Sequence, residues 1–259
     1  MMRGRSLLAI TAMVSLLAAL AWADLKEGLV GLWLFDEQGG DVIKDSSGKG
    51  NDGTLKGGKI KRVKGKFGNA LEFPGNNMVY AEIPDASWLD LEKFTLMAWV
   101  YSEKITGKWQ IVASKENRGP TGRNYGMFLN INTGVLHYSF TRASSWRSYN
   151  AKTPLTDGKW HHVAITYDGK SFKAYVDGEV DAETSISEKP DMHDNSIFIG
   201  GCPLDGSYAL TGMVDEVAVY NRALSEAEIK SAMEGFSKVI LGVDPSSKLA
   251  TTWGELKKR

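Results

Sequence analysis

The chain has 259 residues, 42% of them hydrophobic, with 28 Gly and only 7 Pro. This is ample for one buried core of the size all-β sandwiches reach as a single domain. Lys plus Arg and Asp plus Glu each total 31, a formal net charge of zero, so no general attraction to nucleic acid or to an anionic membrane is expected. A single cysteine, Cys202, excludes an intramolecular disulfide. It reads as a small packed residue between Gly201 and Pro203.

The chain opens with Arg3 and Arg5, an apolar run over 7–20 and a small-x-small site at Ala21-Trp22-Ala23. That order is a secretory signal peptide over 1–23, with Asp24 as the expected mature N-terminus. The competing reading is an uncleaved anchor, but the run falls short of the roughly 20 apolar residues a span prefers. No later segment is apolar enough to span a membrane, so a secreted, periplasmic or cell-surface protein is expected.

Residues 29–35 (LVGLWLF) are apolar and flanked by Gly and charge, which predicts the first strand. Residues 36–53 (DEQGGDVIKDSSGKGNDG) are a turn-rich loop with at most one short strand. Residues 70–73 and 78–83 read as short strands. Residues 94–101 (FTLMAWVY) alternate clearly between two faces, and strands follow over 110–114, 125–131 and 135–140. The stretch 156–180 (TDGKWHHVAITYDGKSFKAYVDGEV) predicts an antiparallel hairpin. Val163, Ile165 and Tyr167 share one face, Phe172, Ala174 and Val176 share another, and Asp168-Gly169 and Asp177-Gly178 are turn dipeptides. Strands at 196–200 and 213–220 precede a short helix over 225–234, where Ser225 and Glu228 have capping-box spacing and Gly235 stands at the end. Residues 237–259 contain Pro245 and end in Lys257-Lys258-Arg259, a tail expected to be partly ordered at best. Short strands separated by Gly, Asn and Asp turns, with no βαβ alternation, predict an antiparallel sandwich or barrel.

Six segments carry a family resemblance: GLVGLWLFDEQGG (28–40), DSSGKGNDGT (45–54), GKFGNALEF (65–73), FTLMAWVY (94–101), WHHVAITYDGKSFKAYVDGE (160–179) and MVDEVAVYNRALSEAEI (213–229). In this order, over nearly all of 24–236, they resemble the laminin-G-like jelly-roll domains of the concanavalin A-like lectin and glucanase superfamily. The resemblance implies an all-β, two-sheet antiparallel jelly-roll sandwich over 24–236 with one short C-terminal helix. The family hosts secreted binding modules as well as enzymes, so the fold alone does not give the function.

The loop after the first strand offers Asp36, Asp45, Ser46, Ser47, Asn51 and Asp52, the oxygen donors that Ca²⁺ prefers. An EF-hand fails, because Lys56 stands where the bidentate Glu belongs. Related sandwiches resemble one another in holding one Ca²⁺ between this loop and an Asp that starts the last strand. That implies a structural ion on Asp45, Asn51 and Asp215, with Asp36 as a further donor. The alternative is that Asp45 and Asn51 cap turns while Asp215 pairs with an arginine such as Arg222.

Two features invite an enzymatic reading. Glu179, Asp181 and Glu183 have the E-x-D-x-E spacing of catalytic strands in related endoglucanases, and on a strand they share a face. The match begins inside the Asp177-Gly178 turn with no tryptophan nearby, so a solvated strand face is expected. His161 and His162 are adjacent on a strand and face opposite ways, and no G-x-S-x-G nucleophile motif is present. No catalytic residue is therefore assigned. Residues 138–149 (YSFTRASSWRSY) mix aromatics with serines, as carbohydrate surfaces do, and Trp146, Arg147 and Tyr149, with Trp109 on the same rim, are the expected ligand contacts. The alternative is that Trp146 and Tyr149 pack on the sandwich edge. The leading expectation is an exported, non-catalytic module for a glycan or glycosylated surface. An adhesion domain for an extracellular protein and a polysaccharide hydrolase or lyase stand behind it.

Overall fold

The computed structural model describes residues 25–58, 60–116, 122–203 and 206–239; the expected signal peptide and residues 240–259 of the expected tail lie outside them. The described residues form strands β1 (Leu29–Trp33), β2 (Val42–Ile43), β3 (Gly53–Lys56), β4 (Lys61–Lys64), β5 (Asn69–Pro74), β6 (Tyr80–Ile83), β7 (Phe94–Tyr101) and β8 (Gln110–Glu116). β9 (Arg123–Leu129), β10 (Val135–Arg142), β11 (Ser145–Pro154), β12 (Trp160–Tyr167), β13 (Ser171–Val176), β14 (Glu179–Ser185), β15 (Ile197–Ile199) and β16 (Thr211–Tyr220) follow, then helices α1 (Glu226–Ala232) and α2 (Phe236–Val239).

The strands make two antiparallel sheets. Sheet one runs β14-β13-β12-β7-β16-β5-β4, with β1 also on β16, and sheet two runs β11-β10-β9-β8-β15-β6-β3-β2. The fold is the all-β antiparallel sandwich expected from the sequence. β7 and β12 pair along their whole length, from Phe94 opposite Tyr167 to Tyr101 opposite Trp160. Alternation sends Leu96, Ala98, Val100, Val163 and Ile165 into the core between the sheets. An aromatic knot of Phe94, Tyr125, Tyr138, Phe140, Tyr167 and Phe172 fills one end of that core. Each such ring contributes roughly 1.5–3 kcal/mol by leaving water.

β7 is apolar on both faces for a second reason. Met97, Ala164, Tyr175 and Ala218 turn outward and are covered by Leu25, Leu224, Ile229, Ala232 and Phe236. The helical layer is fixed by the predicted capping box: Ser225 caps the Glu228 N–H, and the Glu228 carboxylate accepts from the Ser225 N–H at 2.7 Å. The second short helix, α2, was not expected; Phe236 and Ser237 are buried in it.

β16 joins β1 and β5 within sheet one. Its first half pairs with β5 and its second half with β1, and a bulge after Asp215 separates the two. Glu216 in the bulge has a φ of 46°. Among the described residues, no helix is long and apolar enough to cross a membrane.

Candidate functional site

The hairpin of β10 and β11 sets the direction of the predicted ligand residues. Its loop is two residues long, Arg142 being opposite Ser145. Ala143 and Ser144 both have positive φ, 50° and 58°, as a type I′ turn demands. Neither is Gly, and the turn is held by Asp191, whose carboxylate accepts the Ala143 and Ser144 N–H groups at 3.0 and 3.1 Å. Beyond the turn, Trp146, Ser148 and Asn150 lie opposite Thr141, Ser139 and His137, while Arg147 and Tyr149 lie opposite Phe140 and Tyr138. Phe140 and Tyr138 belong to the inter-sheet core.

The four expected ligand residues therefore split. Tyr149 packs against Tyr138 and Phe172, with centroids at 5.8 and 6.1 Å, and Arg147 pairs with Glu188 through Nε at 2.8 Å. Those two do not join the others. Trp146 and Trp109 do share the outer face of sheet two. Trp146 is 40% exposed, and Trp109 packs against His137 with centroids at 4.6 Å and the rings tilted by 49°.

Between the two tryptophans lie residues that sequence reasoning missed. The Arg123 guanidinium sits over Phe128 at 4.1 Å and under Trp146 at 4.6 Å, with Tyr208 at 5.9 Å. Its Nε and Nη2 donate to Glu116 Oε2 at 3.1 and 2.7 Å, and its Nη1 donates to Ser139 Oγ at 2.6 Å. His137 shares a hydrogen bond with Asn150 Oδ1 at 2.9 Å. Burial pushes His137 down to about 4, the Asn150 hydrogen bond opposing and the Arg123 charge assisting, so the ring is neutral at pH 7. The result is a shallow dish with an apolar platform at Trp146, a neutral polar rim and a buried ion pair in its floor. Sugar rings, with one apolar face and hydroxyl edges, match such a surface.

The four expected ion ligands also fall into two groups. Asp45 closes a turn: Oδ1 accepts from the Leu32 and Ser47 N–H groups at 3.1 and 2.8 Å, and Oδ2 accepts from Ser47 Oγ and the Asn51 N–H at 2.8 and 2.9 Å. Asn51 donates to the Val30 carbonyl at 2.7 Å and accepts from Trp88 Nε1 at 3.0 Å. Both are engaged in holding the loop to β1. Asp36 and Asp215 lie in another cluster. Asp36 Oδ1 accepts from the Asn69 N–H and Asp215 Oδ2 from the Phe67 N–H, each at 2.9 Å. Asp215 is fully buried, and its Oδ1 has no hydrogen-bond partner among the described residues. Burial pushes its carboxyl well above the usual carboxylate range; the Phe67 N–H opposes, and the Glu216 and Asp36 charges add to the rise. A Cβ at Gly65 would stand 2.5 Å from Asp215 Oδ2, so only Gly lets the backbone approach. Arg222 pairs with Glu228 at 2.6 Å. The oxygens of Asp45 and Asn51 are thus taken up by hydrogen bonds within the loop and to its neighbours, whereas Asp215 Oδ1 is an oxygen of the kind a hard cation takes.

Other carboxylate groups have charged or hydrogen-bonding neighbours of their own. Among the described residues, Asp85, Asp90 and Asp194 bring carboxylate oxygens within 4.8 Å of one another. The buried Lys115 ammonium pairs with two of them, contacting Asp85 and, at 3.1 Å, Asp90, and donates to the His193 and Asn195 carbonyls at 3.0 and 2.7 Å. On β14, Asp181 accepts from the Lys152 and Thr153 N–H groups, Glu183 from Ser171 Oγ, and Glu179 pairs with Lys230. Desolvation raises Asp181, but the Thr153 and Lys152 hydrogen bonds outweigh it, and the Ser171 and Lys173 contacts lower Glu183. A general acid needs the opposite shift. At sheet one a cavity of about 380 Å³ opens between Lys61, Glu72, Tyr101, Glu103 and Met213. Four of its polar groups pair with each other, Tyr101 donating to Glu103 at 2.6 Å and Lys61 lying 3.8 Å from Glu72.

Known proteins share this architecture. Laminin subunit alpha-4 of Mus musculus is 28% identical over 111 residues, covering 40% of this chain and 6% of that protein. Sialidase 85-1.1 of Trypanosoma cruzi is 26% identical over 215 residues, covering 73% of this chain and 27% of that protein. The chain thus spans well under a third of the length of these curated relatives. Domain 4 of an extracellular arabinanase from Geobacillus stearothermophilus, solved in complex with arabinotriose, superimposes with a TM-score of 0.62 at 22% identity, covering 78% of this chain and 96% of that one. At that identity the likeness speaks for the fold. The family model described as the concanavalin A-like lectin/glucanases superfamily matches residues 75–230, more than half of the chain. With its two-sheet sandwich and its order of motifs, the chain belongs to the laminin-G-like domains of that superfamily.

Proposed function

We propose that this chain is an exported, non-catalytic carbohydrate-binding module whose ligand lies on the outer face of sheet two. Trp146 is the stacking platform, Trp109 flanks it, and Ser148, Asn150 and His137 form the hydrogen-bonding rim. One observation carries the reading: Trp146 exposes one face of a ring whose other face is clamped by the buried Arg123. A large aromatic held rigid and open loses little entropy when a sugar ring stacks on it. An arabinanase domain holding arabinotriose and a sialidase among the similar proteins support a carbohydrate ligand. The signal-peptide pattern of residues 1–23 supports export. The engaged carboxylates of β14, with Asp181 and Glu183 lowered, support binding over hydrolysis.

A Ca²⁺ ion on Asp36 and Asp215 completes the proposal as a structural clip. Its support is the unpartnered buried Oδ1 of Asp215, together with two strained neighbours. Phe35 and Glu216, next to the two acids, have φ of 58° and 46°, a conformation that costs such residues about 1–3 kcal/mol and persists where the surroundings enforce it.

The test is titration of the full chain against a panel of neutral and acidic oligosaccharides by calorimetry, repeated with Trp146→Ala and Trp109→Ala. We expect each substitution to weaken binding by about ten-fold or more, the loss of one good stacking contact, with little change in melting temperature. Arg147→Ala and Tyr149→Ala should leave affinity unchanged. Glycan affinity indifferent to both tryptophans would remove the site. No glycan binding at all would turn attention to an extracellular protein partner.

A further inference from the structure

We infer that the Glu116–Arg123 ion pair sets the ligand class of this face, selecting neutral glycans over acidic ones. The inference rests on the reading of the face as a glycan site. Arg123 is the cation at the centre of the dish, and guanidinium is the side chain best matched to a carboxylate, which it grips with two parallel N–H bonds. A free Arg123 would therefore favour sialic or uronic acids.

Arg123 is not free. It is 3% exposed and Glu116 is 6% exposed. The guanidinium edge that would receive a carboxylate, Nε with Nη2, is taken by Glu116 Oε2, and Nη1 is taken by Ser139 Oγ. The guanidinium is also packed against two rings, Phe128 at 4.1 Å and Trp146 at 4.6 Å. Glu116 also brings a second oxygen, Oε1, that accepts from no group among the described residues. An acidic ligand above Trp146 would meet a neutralised cation and an underlying carboxylate. The arginines of the β10-β11 hairpin are also paired, Arg142 lying 3.9 Å from Asp191 and Arg147 donating to Glu188 at 2.8 Å. A neutral sugar meets no such repulsion: its apolar face stacks on Trp146, and its hydroxyls reach Ser148 and Asn150.

The experiment compares matched pairs on the full chain: lactose with sialyllactose, and arabinotriose with trigalacturonate, each at about 0.02 M and about 0.5 M NaCl. The expected result is that the preferred ligand of the set is neutral, that the acidic member of each pair binds at least about ten-fold more weakly, and that neutral binding changes less than about two-fold with salt, since screening acts on charges. Glu116→Gln keeps the shape of the side chain and releases the Arg123 charge. It should tighten binding of the acidic members by about ten-fold relative to the neutral ones, a shift that a merely structural role would not produce. If this variant does not fold, the wild-type pairs and salt series decide the matter. Tighter binding of an acidic member, weakened by salt and abolished by Trp146→Ala, would overturn the inference while leaving the glycan site in place. Glycan binding unaffected by Trp146→Ala, or none at all, would overturn the site and the inference with it.

Discussion

His162 shows how one side chain ties this fold to pH. It lies on β12 opposite Trp99, fully buried, with the two rings edge to face at 5.3 Å. Its neighbour His161 points the other way, between Asp177 at 2.8 Å and Asp157 at 3.0 Å, as strand alternation requires. Burial pushes His162 from an ordinary 6.5 down to about 4, against the pull of Asp177. The unfolded chain takes up this proton near pH 6.5 and the native protein only near pH 4. Between those values the unfolded state binds more protons, so the contribution of His162 is complete above pH 6.5 and is lost as pH falls toward 4. At about 1.4 kcal/mol per pH unit, the loss is of order 3 kcal/mol. Asp215 works in the opposite sense, since burial favours its protonated form. The informative quantity is thus the difference between the wild type and His162→Asn in urea unfolding from pH 8 to pH 4. The advantage of the wild type should shrink by about 3 kcal/mol over the acidic half of that range; two parallel curves would show that His162 does not titrate as described.

At the scale of elements, local signals were legible and convergent ones were not. Strands β7, β12 and β13 could be read because alternation is written in neighbouring residues, and α1 because Ser225 and Glu228 are one turn apart. Ser225→Ala should cost about 1 kcal/mol of unfolding free energy, the usual worth of an N-cap, read from urea midpoints at unchanged slope. β4, sequence KRVK, gives no apolar signal, because it is an edge strand guarded by charge. The split between Trp146 and the pair Arg147 and Tyr149 was legible in principle, since odd and even residues of a strand face apart. The floor of the dish was not, because Glu116, Arg123, Phe128 and Ser139 come from three strands that meet only in the sheet. Composition likewise gave the oxygen donors of the 36–53 loop but not their direction. Asp45 turns its carboxylate onto the backbone of β1 and its own loop. Asp45→Ala leaves the Leu32, Ser47 and Asn51 N–H groups without that acceptor, and should destabilise the protein by about 2–4 kcal/mol. A loss under about 0.5 kcal/mol in the same urea titration would mean that the turn holds without it.

At the scale of the whole molecule, the fold closes where β16 meets both β1 and β5. Asp36 follows β1, Asn69 opens β5, and Asp215 sits at the point where β16 changes partner from one to the other. The Asn69 and Phe67 N–H groups bind Asp36 and Asp215, so three segments far apart in sequence meet around acidic groups in a buried setting. No internal disulfide shares this task, since Cys202, which is buried, is the one cysteine of the chain. Bringing Asp215 and Asp36 together in low dielectric is unfavourable while both are charged, and a divalent cation reverses the sign of that interaction. The ion binds only when the segments are assembled, so its binding energy adds to folding. At a concentration 100 times its Kd it contributes about 2.7 kcal/mol, which for a domain of this size raises the melting temperature by about 5–10 °C. The full chain should therefore melt about 5–10 °C higher in about 1 mM Ca²⁺ than in chelator. Asp215→Asn and Asp36→Asn should abolish the difference, while Asp45→Ala, although less stable, should keep it, because Asp45 serves the turn and not the ion. A calcium response that survives Asp215→Asn and disappears with Asp45→Ala would move the ion to the 36–53 loop, and superimposable melts with and without chelator would leave the acidic cluster to be balanced by proton uptake on Asp215.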